Sequence, residues 1–138
     1  MPLHPVVVHF PLALLAFGFC LDVAGVVARR PWHRLGYALL LAGTAGAMAA
    51  VITGNLAAAD LRGSVHAEAI QQHEDYATLA LLLYLAAALG RLPGFLRGEA
   101  VLAPAWLVAG AAALGLLWVA GLQGGALVYE RGIGVRGL

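Results

Sequence analysis

The chain has 138 residues, of which 62% are hydrophobic and 11% charged, and its mean hydropathy is +0.89. A soluble domain carries roughly 25% charged residues to face water, so this composition excludes a soluble fold and makes lipid the solvent. A net charge of +1, with eight basic residues that are all Arg, gives no surface for nucleic acid, and a single cysteine, Cys20, excludes an internal disulfide or a cysteine metal cluster. Cys20 lies inside an apolar run and reads as a small buried thiol.

A membrane-spanning helix needs about 20 mostly apolar residues. Four such runs follow in chain order: residues 5–28, 35–59, 66–90 and 101–122, with a short polar tail at 123–138. Linkers this short place successive helices antiparallel and adjacent. The predicted fold class is therefore all-α, an integral membrane four-helix bundle running up-down-up-down as one transmembrane domain. The first run is not read as a cleaved signal, because Met1 to His4 lacks a positive n-region and the Arg cluster follows the apolar stretch.

The loops set an orientation. Connections 1–2 and 3–4 hold Arg29, Arg30, Arg34, Arg91 and Arg97, whereas the opposite face holds Arg62, Arg131 and Arg136. That bias predicts a multi-pass protein of the bacterial inner membrane with both termini in the periplasm. Trp32 and Tyr37 read as interfacial anchors. Small residues recur at Ala42, Gly46, Ala50 and Gly54 in the second span. In the fourth they recur at Ala105, Ala109, Ala113, Gly121 and Gly125. Such stripes let helices approach closely in lipid, within one chain or in a homo-oligomer, and a flat cofactor is the other occupant they suit.

The histidines carry the functional signal. His9 lies 20 residues before Arg29, about 30 Å of helix, and His73 lies 18 before Arg91, about 27 Å. Both are thus predicted at one depth near the outer face, together with His4 and His66. Thr53, Asn55, Tyr129 and Glu130 fall at the same end. Two imidazoles at equal depth on different helices can ligate a haem iron or a metal ion, and His9 with His73 is the preferred pair, with His4 and His66 as supporting or alternative ligands. The competing reading is structural, since headgroup water also accommodates histidine. Asp22 is an intramembrane carboxylate and is expected to pair with Arg29 or Arg30.

Two segments resemble a known family. His4-Pro5-Val6-Val7-Val8-His9-Phe10-Pro11 fits an HPxxVHFP start, and the stretch from Gly124 to Val135 fits a GGxLVYxxGxGV-like ending. Both resemble the bacterial membrane family catalogued as domain of unknown function 2231, whose members also carry a histidine opening the third helix, which His73 fits. The resemblance implies a four-helix membrane module, sometimes joined to c-type cytochrome or Rieske iron–sulfur domains. It implies respiratory electron transfer and makes haem b the expected cofactor. The chain departs from the pattern at Glu130-Arg131, where the family tail often carries a histidine.

Three readings follow. The first is a small electron-transfer protein holding haem b through His9 and His73, with a cytochrome c or Rieske protein as partner. The second is a non-catalytic anchor or assembly subunit of a redox complex. The third is a transition-metal site of imidazole and carboxylate groups. No nucleophile–base pair, phosphate loop or internal repeat stands out, so a carrier or membrane subunit is expected rather than an enzyme.

Overall fold

The computed structural model describes residues 4–98 and 102–133. Helix α1 is His4–Val7, α2 is His9–Ala28, α3 is His33–Ala58, α4 is Ala67–Leu96 and α5 is Pro104–Tyr129, with a 3₁₀ turn at Ala59–Leu61 after α3. Helices α1 and α2 form one span, His4–Ala28, and α3, α4 and α5 supply the other three apolar spans. The break at Val8 has a local cause. Pro11 has no N–H to give the Val7 carbonyl, yet Val8 keeps helical dihedrals and its carbonyl still accepts from Leu12.

Helix α2 packs along α3 and α4 along α5, giving two hairpins. Contacts of α3 with α4 and of α2 with α5 close the ring, so α2 and α4 stand across its diagonal. The architecture is the predicted all-α four-helix membrane bundle. Its core gathers Leu15, Tyr37, Leu40, Leu81, Tyr84 and Ala113. Large apolar side chains such as Val27, Leu56, Leu89 and Val108 point outward, which suits helices whose backbone groups are satisfied internally and whose solvent is lipid.

Several boundaries and faces differ from the sequence reading. The third span does not stop at residue 90. It continues through Arg91 and past Pro93 to Leu96. The fourth starts at Pro104 and extends to Tyr129, through residues read as tail; Val101, Gly134, Val135 and Arg136 lie outside the described residues. Cys20 is exposed on the bundle's outer surface rather than buried. Tyr37 is not an interfacial anchor but one of the most enclosed side chains, at 2% exposure, while Trp32 is exposed. In the stripes, Gly46, Ala50 and Gly54 do pack inward, but Ala42 faces out. In α5 the packed small residues include Gly110, Ala113, Ala120 and Gly124, and neither Gly121 nor Gly125 has a neighbour where a Cβ would go.

Candidate functional site

The diagonal between the α1–α2 span and α4 is crossed by side chains at both ends of the bundle. At one end, Arg91 of α4 donates to Asp22 of α2 through two nitrogens, at 2.6 and 2.9 Å, and both residues are buried. Arg91 also donates to the His33 carbonyl at 3.2 Å, and its guanidinium stacks 5.3 Å from the Tyr37 ring centre. Tyr37 in turn donates its hydroxyl to the Ala88 carbonyl at 2.8 Å. The partner of Asp22 is therefore Arg91 and not Arg29 or Arg30. The expectation failed because Arg91 was assigned to a loop, whereas it faces inward from a helix that runs one and a half turns further.

Room for that pair comes from Gly36 of α3, where a Cβ would lie against the Asp22 carboxylate. A two-pronged arginine–carboxylate contact is among the strongest hydrogen-bonded pairs. Here the charges cancel and the geometry leaves little unsatisfied, so the pair reads as a structural pin.

At the opposite end the imidazoles of His4 and His73 meet edge to face, with ring centres 6.1 Å apart and planes inclined at 75°. His4 Nδ1 is 2.9 Å from the Ala50 carbonyl of α3, and His73 Nδ1 is 2.9 Å from the Ala120 carbonyl of α5. A carbonyl only accepts, so each Nδ1 carries the proton, and in a neutral ring Nε2 is then the nitrogen with the lone pair. One turn beyond each carbonyl lies a glycine against which the ring rests: Gly54 under His4 and Gly124 under His73, where a Cβ would come within 3.0 and 3.1 Å of the ring Cε1. Thr53 Oγ stands 3.4 Å from His4 Nδ1.

The two hairpins thus repeat one arrangement. In each, a histidine in the first two turns of the first span is held by an alanine carbonyl and a glycine of the second. The diagonal partner at the far end, Asp22 or Arg91, follows its histidine by the same interval, from 4 to 22 and from 73 to 91. This parallel repeat was missed in the sequence, although that shared interval was its signal.

The other candidate residues are placed apart from these two rings or at the surface. His9, the preferred partner of His73 on sequence grounds, is exposed, and its Nδ1 donates to the Pro5 carbonyl of its own turn at 2.7 Å. The imidazole opposite His73 is His4. His66 caps the start of α4, with its backbone N–H on Ser64 Oγ. Asn55 and Glu130 are exposed, and Tyr129 is 90% exposed. Beside His73, Glu74 Oε1 lies 3.9 Å from Arg62, and it and Gln123 Oε1 are buried oxygens without a hydrogen-bond partner. No group of three or more His, Cys, Asp or Glu suited to a metal ion occurs among the described residues.

The chain belongs to the family of predicted membrane proteins named domain of unknown function 2231, whose family model matches residues 1–137. No curated protein and no solved structure matches it.

Proposed function

We propose that this membrane protein is a small electron-transfer module that holds b-type haem between His4 and His73. The observation that carries the reading is the closeness of those two rings, on different spans, with both Nδ1 atoms anchored. A metal-bound imidazole typically donates its other N–H to a backbone carbonyl or carboxylate, which fixes its tautomer and aim. Ala50 and Ala120 serve that purpose here. An imidazole nitrogen lies about 2 Å from its metal, with the ring centre about 1 Å behind, so two on one iron put ring centres about 6 Å apart. The observed 6.1 Å agrees.

The donor set favours haem over a bare transition-metal ion. A lone ion asks the protein for three or four ligands, whereas a porphyrin supplies four of its own and leaves axial places for histidines. Among the described residues no His, Cys, Asp or Glu completes a group of three for a bare ion, and two imidazoles suit the second kind of site. Once bound, the haem would carry the electron; the chain positions the rings, keeps side chains off them at Gly54 and Gly124, and limits water.

The bias of arginines toward the Asp22–Arg91 end supports a bacterial inner-membrane location with the histidine end in the periplasm. There a cytochrome c or Rieske protein would be the redox partner. Protein purified in detergent after expression with ample haem should show a Soret band. His4→Ala and His73→Ala should abolish it, and His9→Ala should keep it. A colourless wild type would remove this reading, and if such a protein co-purified with a redox complex, the role would become that of an anchor subunit.

A further inference from the structure

The histidine end of the bundle carries more charge than the two imidazoles account for. Among the described residues, the carboxylates of Asp60, Glu68, Glu74, Asp75 and Glu130 lie there against the guanidinium groups of Arg62 and Arg131. An anionic ligand entering that end meets net repulsion unless one of the two arginines receives it.

Arg62 is the one placed to do so. It follows the 3₁₀ turn Ala59–Leu61, on the loop that joins α3 to α4. Leu61 of that turn packs with Ala58, Ile70 and Leu127. The backbone before Arg62 is thereby fixed against α4, which carries His73, and α5, which supplies its carbonyl partner. Arg62 Nη2 lies 3.9 Å from Glu74 Oε1, and Glu74 adjoins His73 in α4. That distance is too long for a hydrogen bond. The Arg62 side chain is 63% exposed, and the Glu74 oxygen is buried without a hydrogen-bond partner. Attraction thus holds the guanidinium near the histidines and leaves its donors open. Five N–H groups in a rigid fork let one guanidinium serve Glu74 and a second carboxylate together. Arg131, by contrast, is exposed beyond the last residue of α5.

The chemistry of a b-type haem supplies that second carboxylate. The ring bears two propionate side chains on one edge, and burying an unpaired carboxylate among apolar spans is costly. The carboxylate edge therefore belongs at the loop end of the bundle, where Arg62 stands. We propose that Arg62 receives a haem propionate through a two-pronged, charge-assisted contact, an assignment that rests on the haem reading above. The histidines hold the iron, and Arg62 sets which edge of the ring points to the loop.

Haem b and its dimethyl ester share ring and iron and differ in charge. Titrating each into the detergent-purified, haem-free chain and reading the Soret band gives the ratio of the two affinities. Arg62→Gln should lower the preference for the free acid by roughly fivefold, the upper range for an exposed ion pair. Arg131→Gln removes the same charge from the same end and should leave the ratio unchanged. Glu74→Gln separates attraction by Arg62 from repulsion by an unmasked Glu74. Arg62→Gln with Glu74→Gln should still fall roughly fivefold below Glu74→Gln alone. An unchanged ratio in Arg62→Gln, an equal fall in Arg131→Gln, or a double variant equal to Glu74→Gln would each overturn the role of Arg62 and leave histidine ligation standing. A wild type that binds neither porphyrin would instead remove the haem reading, and this assignment with it.

Discussion

The two diagonal contacts between the α1–α2 span and α4 occupy corresponding places and have opposite chemistry. Asp22 and Arg91 bring unlike charges together, and each satisfies the other with two hydrogen bonds. His4 and His73 bring like groups together, and each is satisfied on one nitrogen only, by a backbone carbonyl of its own hairpin. A pair that completes itself needs no ligand, whereas a pair of close imidazoles each engaged through Nδ1 alone has capacity for one. The same repeat therefore yields a clamp at one end and a candidate site at the other.

The sharpest way to break this contrast is to open the clamp. Asp22→Asn leaves the Arg91 charge buried and short of its partner, and loss of one member of a buried pair costs about 3–5 kcal/mol. Thermal unfolding in detergent should show that loss, and Asp22→Leu with Arg91→Met should recover most of it, since an apolar pair of similar volume needs no neutralisation. At the histidine end, His4→Ala in protein without haem removes one hydrogen bond and should cost only about 1 kcal/mol. A His4→Ala penalty as large as that of Asp22→Asn would mean that both ends are clamps.

Glycine substitutions refine the contrast further. Gly124→Ala places a methyl within 3.1 Å of the His73 ring, whereas Gly125→Ala meets nothing within 4 Å. The first should weaken the Soret band while leaving thermal stability within about 1 kcal/mol of wild type, because helix propensity favours Ala over Gly by about that much. The second should leave the band intact. Equal effects from these neighbouring positions would show that the ring does not rest on α5 as described.

The sequence made the four spans legible because hydropathy over 20 residues is a strong signal that no tertiary contact overrides in lipid. It did not make the site legible to the residue. His4 and His9 are five apart, so on a regular helix they point about 140° away from each other, and only packing decides which of them faces inward. The structure turns His4 to His73 and leaves His9 on the surface. Arg91 was hidden for a related reason: a charge near the end of an apolar run looks like the loop that ends it. Yet α4 continues about a turn and a half past Arg91, which points inward to Asp22 across the bundle. The placement of Gly124 rather than Gly121 or Gly125 on the packed face again turned on helix phase, which small-residue spacing alone leaves free.

The smallest expected effect concerns Tyr84, which lies between the two contacts in the middle of α4. It is 3% exposed, and its hydroxyl has no hydrogen-bond partner. It lines a cavity of about 20 Å³ that is also lined by Asp22 and Arg91. Burying a hydroxyl without a partner carries a desolvation cost that removing the group relieves. Tyr84→Phe keeps the ring and its packing against the core, so thermal unfolding should show a change between zero and a slight gain. A loss above about 1 kcal/mol would instead assign the hydroxyl to the Asp22–Arg91 clamp through a bridging water, which that cavity has room to hold. The clamp would then not complete itself, and the contrast between the two ends would rest on the number of unmet groups rather than on their charge.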